Sequence, residues 1–204
     1  MSHYTYNLIN PPIVDELKSI VGAKYVIFGE PDKMEPYSHD EVAEKHYAHM
    51  PEAVVKPRTA EEISKIMKLA NRENIPVTPR GAGSGLSGGA VPLHGGISLS
   101  LERMNEILEI DKENLVVVVE PGVVTNEINE KLKAYGLFFA GYPMSVESCF
   151  IGGNVAENAA ADARSNMASP IVTSSVLKSS RPKVKLYISA VNCRKTSSVT
   201  TLLN

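Results

Sequence analysis

Pro79-Arg80-Gly81-Ala82-Gly83-Ser84-Gly85-Leu86-Ser87-Gly88-Gly89 is the stretch whose reading decides the fold. Five glycines fall within residues 81–89. That density does not suit a helix or strand interior, where each glycine loses backbone entropy and packs nothing. Glycine offers instead positive φ and close approach of the main chain to a ligand. Successive backbone N–H groups in such a turn converge on an anion, and Ser84 and Ser87 add hydroxyl donors. Ile75 to Arg80 reads as a short strand delivering the loop, and Ile97 to Leu101 alternates like a strand that follows it. The expected arrangement is strand, glycine loop, strand, with the loop acting as a phosphate cradle.

Other readings compete for the same residues. Gly83-Ser84-Gly85-Leu86-Ser87-Gly88 satisfies G-x-G-x-x-G, which on a Rossmann fold would bind NAD. That motif must open a helix, whereas here Ala90-Val91-Pro92-Leu93-His94-Gly95-Gly96 follows, and Pro92 with a second glycine pair opposes one. A Walker A loop needs Gly-Lys-Ser/Thr, which is absent. A plain surface glycine loop is opposed by the glycine density and by the strands on both sides. Composition and spacing lead to a pyrophosphate-type ligand and no further.

At 204 residues the chain is long enough to bury a core as one domain or two small ones. A net charge of −2 gives no reason to expect nucleic acid or an anionic membrane as partner. No run of about 18 apolar residues suggests a transmembrane segment. Met1-Ser2-His3-Tyr4-Thr5 lacks the basic start and apolar stretch of a signal peptide, so a cytoplasmic location is expected. Two cysteines, Cys149 and Cys193, make neither a disulfide framework nor a metal site.

Outward from the loop, residues 9–21 read as a helix after Pro11-Pro12, with Ile13, Leu17, Ile20 and Val21 at helical spacing. The polar stretch from Gly29 to Met50 holds His39, His46 and His49. No cysteine or second acidic pair completes a metal site there, and solvated histidines are the reading adopted. Ala53 to Pro57 is a strand ended by proline. Thr59 with Glu62 forms a capping box for a helix over 59–73, whose apolar face is Ile63, Ile66, Met67 and Ala70. Residues 53–80 are thus expected to form a parallel β–α–β unit with a right-handed crossover. Its second strand ends at the glycine loop, where open α/β sheets place ligands.

Beyond the loop, 97–101, 107–110 and 115–120 read as strands, expected to share one sheet with the 53–80 unit. Val116 to Val119 is apolar on both faces and is expected to be buried. A helix is predicted over 125–135, stopped by Gly136. Ile151 to Ala159 looks like a glycine-opened helix start, a second place for N–H groups to meet phosphate.

Several blocks together resemble one family. They are Val55-Lys56-Pro57, Pro79 to Gly88, Val119-Glu120-Pro121-Gly122-Val123, Gly141-Tyr142-Pro143, and Ile151-Gly152-Gly153-Asn154-Val155-Ala156-Glu157-Asn158-Ala159. In that order they resemble the amino-terminal half of the PCMH-type (vanillyl-alcohol-oxidase type) FAD-binding domain, in its glycolate oxidase subunit/D-lactate dehydrogenase branch. The resemblance covers about residues 10–160. It implies an α/β (α+β) fold, the first subdomain of that domain, truncated before the second.

It also implies FAD, with Pro79, Arg80, Gly81, Ala82, Gly83, Ser84, Gly85, Leu86, Ser87 and Gly88 on its pyrophosphate side. Pro143, Gly152, Gly153, Asn154, Glu157 and Asn158 would line the same cofactor. It implies oxidation of a small 2-hydroxy acid such as lactate or glycolate by hydride transfer to the flavin. Gly141 to Cys149 is most similar to lactate dehydrogenases that pass electrons to electron-transfer flavoprotein. A different flavin enzyme on the same domain, such as a cell-wall precursor reductase, is the alternative within the class.

Relatives that attach FAD covalently often use a histidine inside the glycine loop. None lies between Arg80 and Gly89, so non-covalent FAD is expected. His94 reads as a loop residue and Cys149 as a small packed residue. No catalytic residue is assigned, and no metal is expected.

After Ala159 the likeness stops, and Ala160-Ala161-Asp162-Ala163-Arg164 replaces the family's continuation. Reading one nucleotide earlier across Asn166 to Thr173 permits the family's residues, so the segment from about 160 is expected to be a frameshifted tail. The expected organisation is an amino-terminal helix and lead-in segment over 1–50, an incomplete FAD-binding domain over 51–160, and a non-homologous tail over 161–204. That tail shows little helical or strand period, is expected to be poorly ordered, and carries β-prone Val184 to Ile188. A non-catalytic product with weak or no flavin binding is therefore the alternative reading of this chain.

Overall fold

Asn10 sits in the extended region and its side-chain oxygen accepts from the Ile13 N–H, which starts the first helix, α1 (Pro11–Val21). The computed structural model describes residues 5–42, 47–139 and 145–157, together with the backbone of 176–180 and 186–190. Prolines in the first turn of α1 lose nothing, because those N–H groups have no helical partner. Next come β1 (Val26–Phe28), α2 (Pro31–Met34) and β2 (Ala53–Val55). β1 pairs antiparallel with β2, an element too short to leave a pattern in the sequence.

α3 (Ala60–Arg72) is capped as predicted: Thr59 Oγ1 accepts from the Glu62 N–H at 3.2 Å. The Glu62 carboxylate reaches back one residue further than the usual box, to the Arg58 N–H at 2.6 Å. β3 (Val77–Arg80) and β4 (Ile97–Ser100) complete a sheet of order β1-β2-β4-β3. β2 and β3 are parallel, as expected of the 53–80 unit, but β4 lies between them and bonds to both.

One face of this sheet carries Ala53, Val55, Ile97 and Leu99. It packs under α1 and α3 through Leu17, Ile66 and Leu69, all at most 4% exposed. Side chains of that size are worth about 1.5–3 kcal/mol each on full burial, so the α1–sheet–α3 sandwich is the main source of stability. The opposite face carries Val54, Thr78, Arg80, Ser98 and Ser100, and it leads to the glycine loop.

The strands β5 (Ile107–Asp111) and β6 (Val116–Val119) do not join that sheet. They form a separate antiparallel pair with a register shift between Ile107 and Glu109, which corrects the single-sheet expectation. β6 is also not buried on both faces. Val117 and Val119 pack with Val123, Ile128, Leu132 and Ile151, while Val116 and Val118 are 39% and 40% exposed. Only one side of a two-stranded ribbon is covered here, by α4 (Thr125–Lys133), so four apolar residues in a row did not imply two buried faces.

α4 stops short of 135, and Gly136, at φ 66, closes it by donating to the Lys133 carbonyl. α5 (Ile151–Ala156) follows. In the tail, β7 (Val176–Ser180) and β8 (Leu186–Ala190) pair antiparallel over five residues each, where the sequence suggested little strand character. Val184 and Lys185, and the remainder of the expected tail, lie outside the described residues.

Candidate functional site

Parallel strands bring their carboxyl ends to one edge, and three charged residues gather there. Lys56 follows β2, Arg80 ends β3 and Glu102 follows β4. Glu102 accepts from Lys56 Nζ at 2.7 Å, from the Tyr37 hydroxyl at 3.0 Å and from Ser100 Oγ at 2.9 Å. Lys56 Nζ and the Arg80 guanidinium approach the Tyr37 ring at 5.1 and 5.6 Å from its centroid. Burial works against the Lys56 charge, but its bonds to Glu102 and Tyr37 win and hold its pKa above the ordinary value. Burial likewise opposes the Glu102 charge, and the Lys56, Ser100 and Tyr37 bonds hold its pKa below the usual carboxylate value. Burial raises the Tyr37 phenol, with a smaller push from Glu102 and opposition from Lys56.

Arg80 turns under the glycine loop rather than into it. Its guanidinium is buried at 7% exposure and donates to the His39 carbonyl at 2.6 Å and the Pro36 carbonyl at 2.7 Å. Desolvation lowers its pKa, partly offset by Tyr37, Asp40 and Glu102. Gly83, at φ +77, lies directly against this group: a Cβ there would stand 2.0 Å from Arg80 Nη2. The loop is further tied to the lead-in segment by Glu41 N–H to the Gly85 carbonyl at 3.0 Å and Gly88 N–H to Asp40 Oδ2 at 2.8 Å. The N–H groups of residues 81–87 bond to no described residue.

The structure brings the second glycine segment alongside. A Cβ on Gly81 would touch Gly153 Cα at 3.8 Å, and Ser87 Oγ donates to Glu157 Oε2 at 2.5 Å. The start of α5 does not offer free donors, contrary to its expected role. Ile151 N–H bonds to the Val123 carbonyl, Gly152 to Pro121, and Gly153 and Asn154 to Phe150. The Asn154 amide points inward, donating to Thr125 Oγ1 at 2.7 Å and lying 3.3 Å from the buried Cys149 sulfur. Pro143 and Asn158 lie outside the described residues.

His46 also lies outside them, and His94 stacks on Tyr6 with ring centroids 5.4 Å apart. Among the described residues no group of three His, Cys, Asp or Glu side chains is arranged to hold a metal. The sequence reading gave no site role to Tyr37, Asp40, Lys56 or Glu102. For Lys56 and Glu102 a signal existed, since Lys56 is the last residue before the proline that ends one predicted strand and Glu102 stands just past the end of another.

A nucleotide cofactor fits this edge. A run of N–H groups with no partner among the described residues suits a pyrophosphate, and both Gly85 and Gly153 have open space where a Cβ would sit. Nothing in the protein itself requires glycine at those two positions, as Arg80 does at Gly83 and Pro121 does at Gly152. The fold is an α/β one whose glycine loop has the room and the main-chain donors that a nucleotide cofactor needs.

Comparison with known proteins makes the class specific. The profile of the FAD binding domain family matches residues 51–174, more than half of the chain. The D-lactate dehydrogenase of Anaerostipes hadrus is 41% identical over 159 residues, 78% of this chain and 33% of that protein. Glycolate oxidase subunit GlcD of Bacillus subtilis is 43% identical over 122 residues, 60% of this chain and 26% of that protein. Among solved structures, alkyldihydroxyacetonephosphate synthase superposes with a TM-score of 0.79 at 18% identity, covering 95% of this chain and 37% of that one. p-Cresol methylhydroxylase gives 0.55 at 29% identity, covering 62% and 25%.

The chain belongs to the FAD-binding domain family of the PCMH type, and FAD is the cofactor of its site. It spans about a quarter to a third of the length of the relatives it matches. Among the described residues no helix is long and apolar enough to cross a membrane.

Proposed function

We propose that this chain is the FAD-cradling part of a flavin-dependent 2-hydroxy-acid dehydrogenase acting on lactate or glycolate. The observation that carries the reading is the run of N–H groups over 81–87 that have no partner among the described residues, beside glycines whose missing Cβ atoms leave open space. The D-lactate dehydrogenase and glycolate oxidase relatives supply the substrate class. FAD, when bound, is the acceptor for the hydride taken from the hydroxyl-bearing carbon of the acid.

The residues of this chain bind and orient. Residues 79–88 form the cradle: the N–H groups of 81–87 are its main-chain donors and Ser84 adds a hydroxyl, while the Ser87 hydroxyl is held by Glu157 and the Gly88 N–H by Asp40. Gly153 leaves room on the facing side, and Pro143, Gly152, Asn154, Glu157 and Asn158 complete the lining in this reading, Gly152 and Asn154 as backbone surface only, since Pro121 holds the one's N–H and Thr125 the other's amide. Glu157 is a carboxylate already holding a hydroxyl, so it suits a sugar hydroxyl of the cofactor better than its phosphates. Binding is non-covalent, the electron acceptor is electron-transfer flavoprotein, and the location is the cytosol.

A second reading has its own support. The chain spans only 33% of its lactate dehydrogenase relative, and a non-catalytic product with weak or no flavin binding is consistent with that share. Purification decides first: bound flavin per polypeptide after gel filtration is expected near one, and its absence would overturn the cradle. Turnover with D-lactate or glycolate and a dye acceptor then separates the two readings, the second requiring none.

A further inference from the structure

We propose that Asp40 is the positioning residue of the glycine loop: its two carboxylate oxygens hold the lead-in segment and the loop in the one arrangement that leaves the N–H groups of 81–87 free for a ligand. Asp40 is 6% exposed. Oδ2 accepts from the Gly88 N–H at 2.8 Å and Oδ1 from the Val42 N–H at 3.0 Å. Each oxygen thus serves a different segment. Arg80 works from the other end of the same loop, donating to the carbonyls of Pro36 and His39.

Residues 36–42 therefore grip the loop at three points, below Gly83, at Gly85 and at Gly88. Gly85 is held through its carbonyl, by the Glu41 N–H. Fixing the Gly85 carbonyl fixes the N–H of Leu86, which belongs to the same planar peptide unit and points the opposite way. An anion cradle needs donors pre-aimed, because a loop that must be ordered on binding loses affinity to that ordering.

The chemistry at Asp40 is specific. Two N–H donors meet two acceptors, and a carboxylate alone among side chains of that size offers both. Asparagine has the same shape, but it would turn an NH2 group toward one of the two donors. Alanine would leave both donors unsatisfied in a buried place.

The inference rests on the FAD reading for its consequence, and on the apoprotein for its cause, so the two are tested separately. In the apoprotein, amide hydrogen exchange is measured in wild type, Asp40→Asn, Asp40→Ala and the control Glu41→Ala, which keeps its backbone bond. Both Asp40 variants should speed exchange at Val42 and Gly88 while leaving the α3 amides of Ile66 and Leu69 as protected as in wild type. Glu41→Ala should change neither. Exchange that is unchanged at Gly88, or that rises equally in α3, overturns the positioning role.

Flavin affinity is then read by quenching of FAD fluorescence on titration. Asp40→Asn should weaken FAD by about tenfold or more, the loss expected for a mispaired charge-assisted bond. Wild-type affinity in Asp40→Asn also overturns the proposal. If wild type itself fails to bind FAD, the proposed function falls, and the exchange data alone decide whether Asp40 holds the loop.

Discussion

Gly83 and Gly85 are two residues apart, yet they should fail for opposite reasons when given a side chain. At Gly83 the obstacle is internal. A Cβ would stand 2.0 Å from Arg80 Nη2 and 2.5 Å from Cζ, on a backbone at φ +77. Left-handed geometry for an ordinary residue costs about 1–2 kcal/mol. Displacing the guanidinium from one of its two carbonyl acceptors adds about 1.5–3 kcal/mol. Gly83→Ala should thus destabilise the apoprotein by about 2.5–5 kcal/mol, a large share of the roughly 5–15 kcal/mol that holds a typical domain.

At Gly85 nothing lies within 4 Å of a built Cβ, and its φ is outside the left-handed range. Gly85→Val should leave apoprotein stability within about 0.5 kcal/mol, as for a surface substitution, while flavin is lost from the purified protein. Urea unfolding of the apoproteins and flavin content after gel filtration measure the two effects independently. Full flavin content in Gly85→Val would place the cradle elsewhere. A stability loss at Gly85 as large as that at Gly83 would show that the loop is not open where the structure leaves it open.

Other expectations are smaller in scope. Lys56→Met should cost about 1–2 kcal/mol, between exposed and buried pairs, because Glu102 loses its cationic partner in a half-buried place; thermal unfolding reads it. The same pair fixes a pH dependence. Glu102 has a folded pKa below its ordinary value, so its contribution is full above the carboxylate range and is lost as pH falls through the depressed value. Lys56 is raised, so its contribution is full below the usual lysine pKa and is lost as pH rises through the elevated one. Glu102→Gln should therefore flatten the acid side of a stability–pH curve, and an unaltered acid limb would refute the role given to the pair. Leu17→Ala, at 0% exposure, should cost about 3–5 kcal/mol by chemical denaturation. For the frameshift, sequencing the gene through codons 155–170 tests the tail, since an uninterrupted long frame in the present phase is incompatible with it.

The parts legible in the sequence were those set by neighbours in the chain. The Thr59 cap, the α3 stripe, the Gly136 stop and the glycine loop each depend on residues within a few positions. The loop's anchors were not legible because they pair across about forty residues: Arg80 with Pro36 and His39, Gly88 with Asp40. In the sequence Arg80 looked like a phosphate ligand, and only packing shows its guanidinium spent on main-chain carbonyls. β6 failed for a related reason, since four valines state a preference for strand but not how many of its faces another layer will cover. Asn154 stood in a glycine-rich helix start that invited a ligand, yet Thr125 and Cys149 claim its amide.

The place of β4 in the sheet has a consequence for how the chain can be made. β2 and β3 share no hydrogen bonds with each other; β2 pairs with β1, but β3 is joined to the sheet through β4 alone, which is synthesised after both. On a ribosome, β1 and β2 can pair and α1 and α3 can collapse on them, but β3 has no strand partner until residue 100 has emerged. Until then β2 and β3 each present an open edge flanking an apolar gap, the hazard that slow, non-local parallel pairing creates. β4 thus acts as a keystone delivered last, and a nascent chain halted between residues 81 and 96 should be a client for chaperones, whereas one that has passed residue 100 should not.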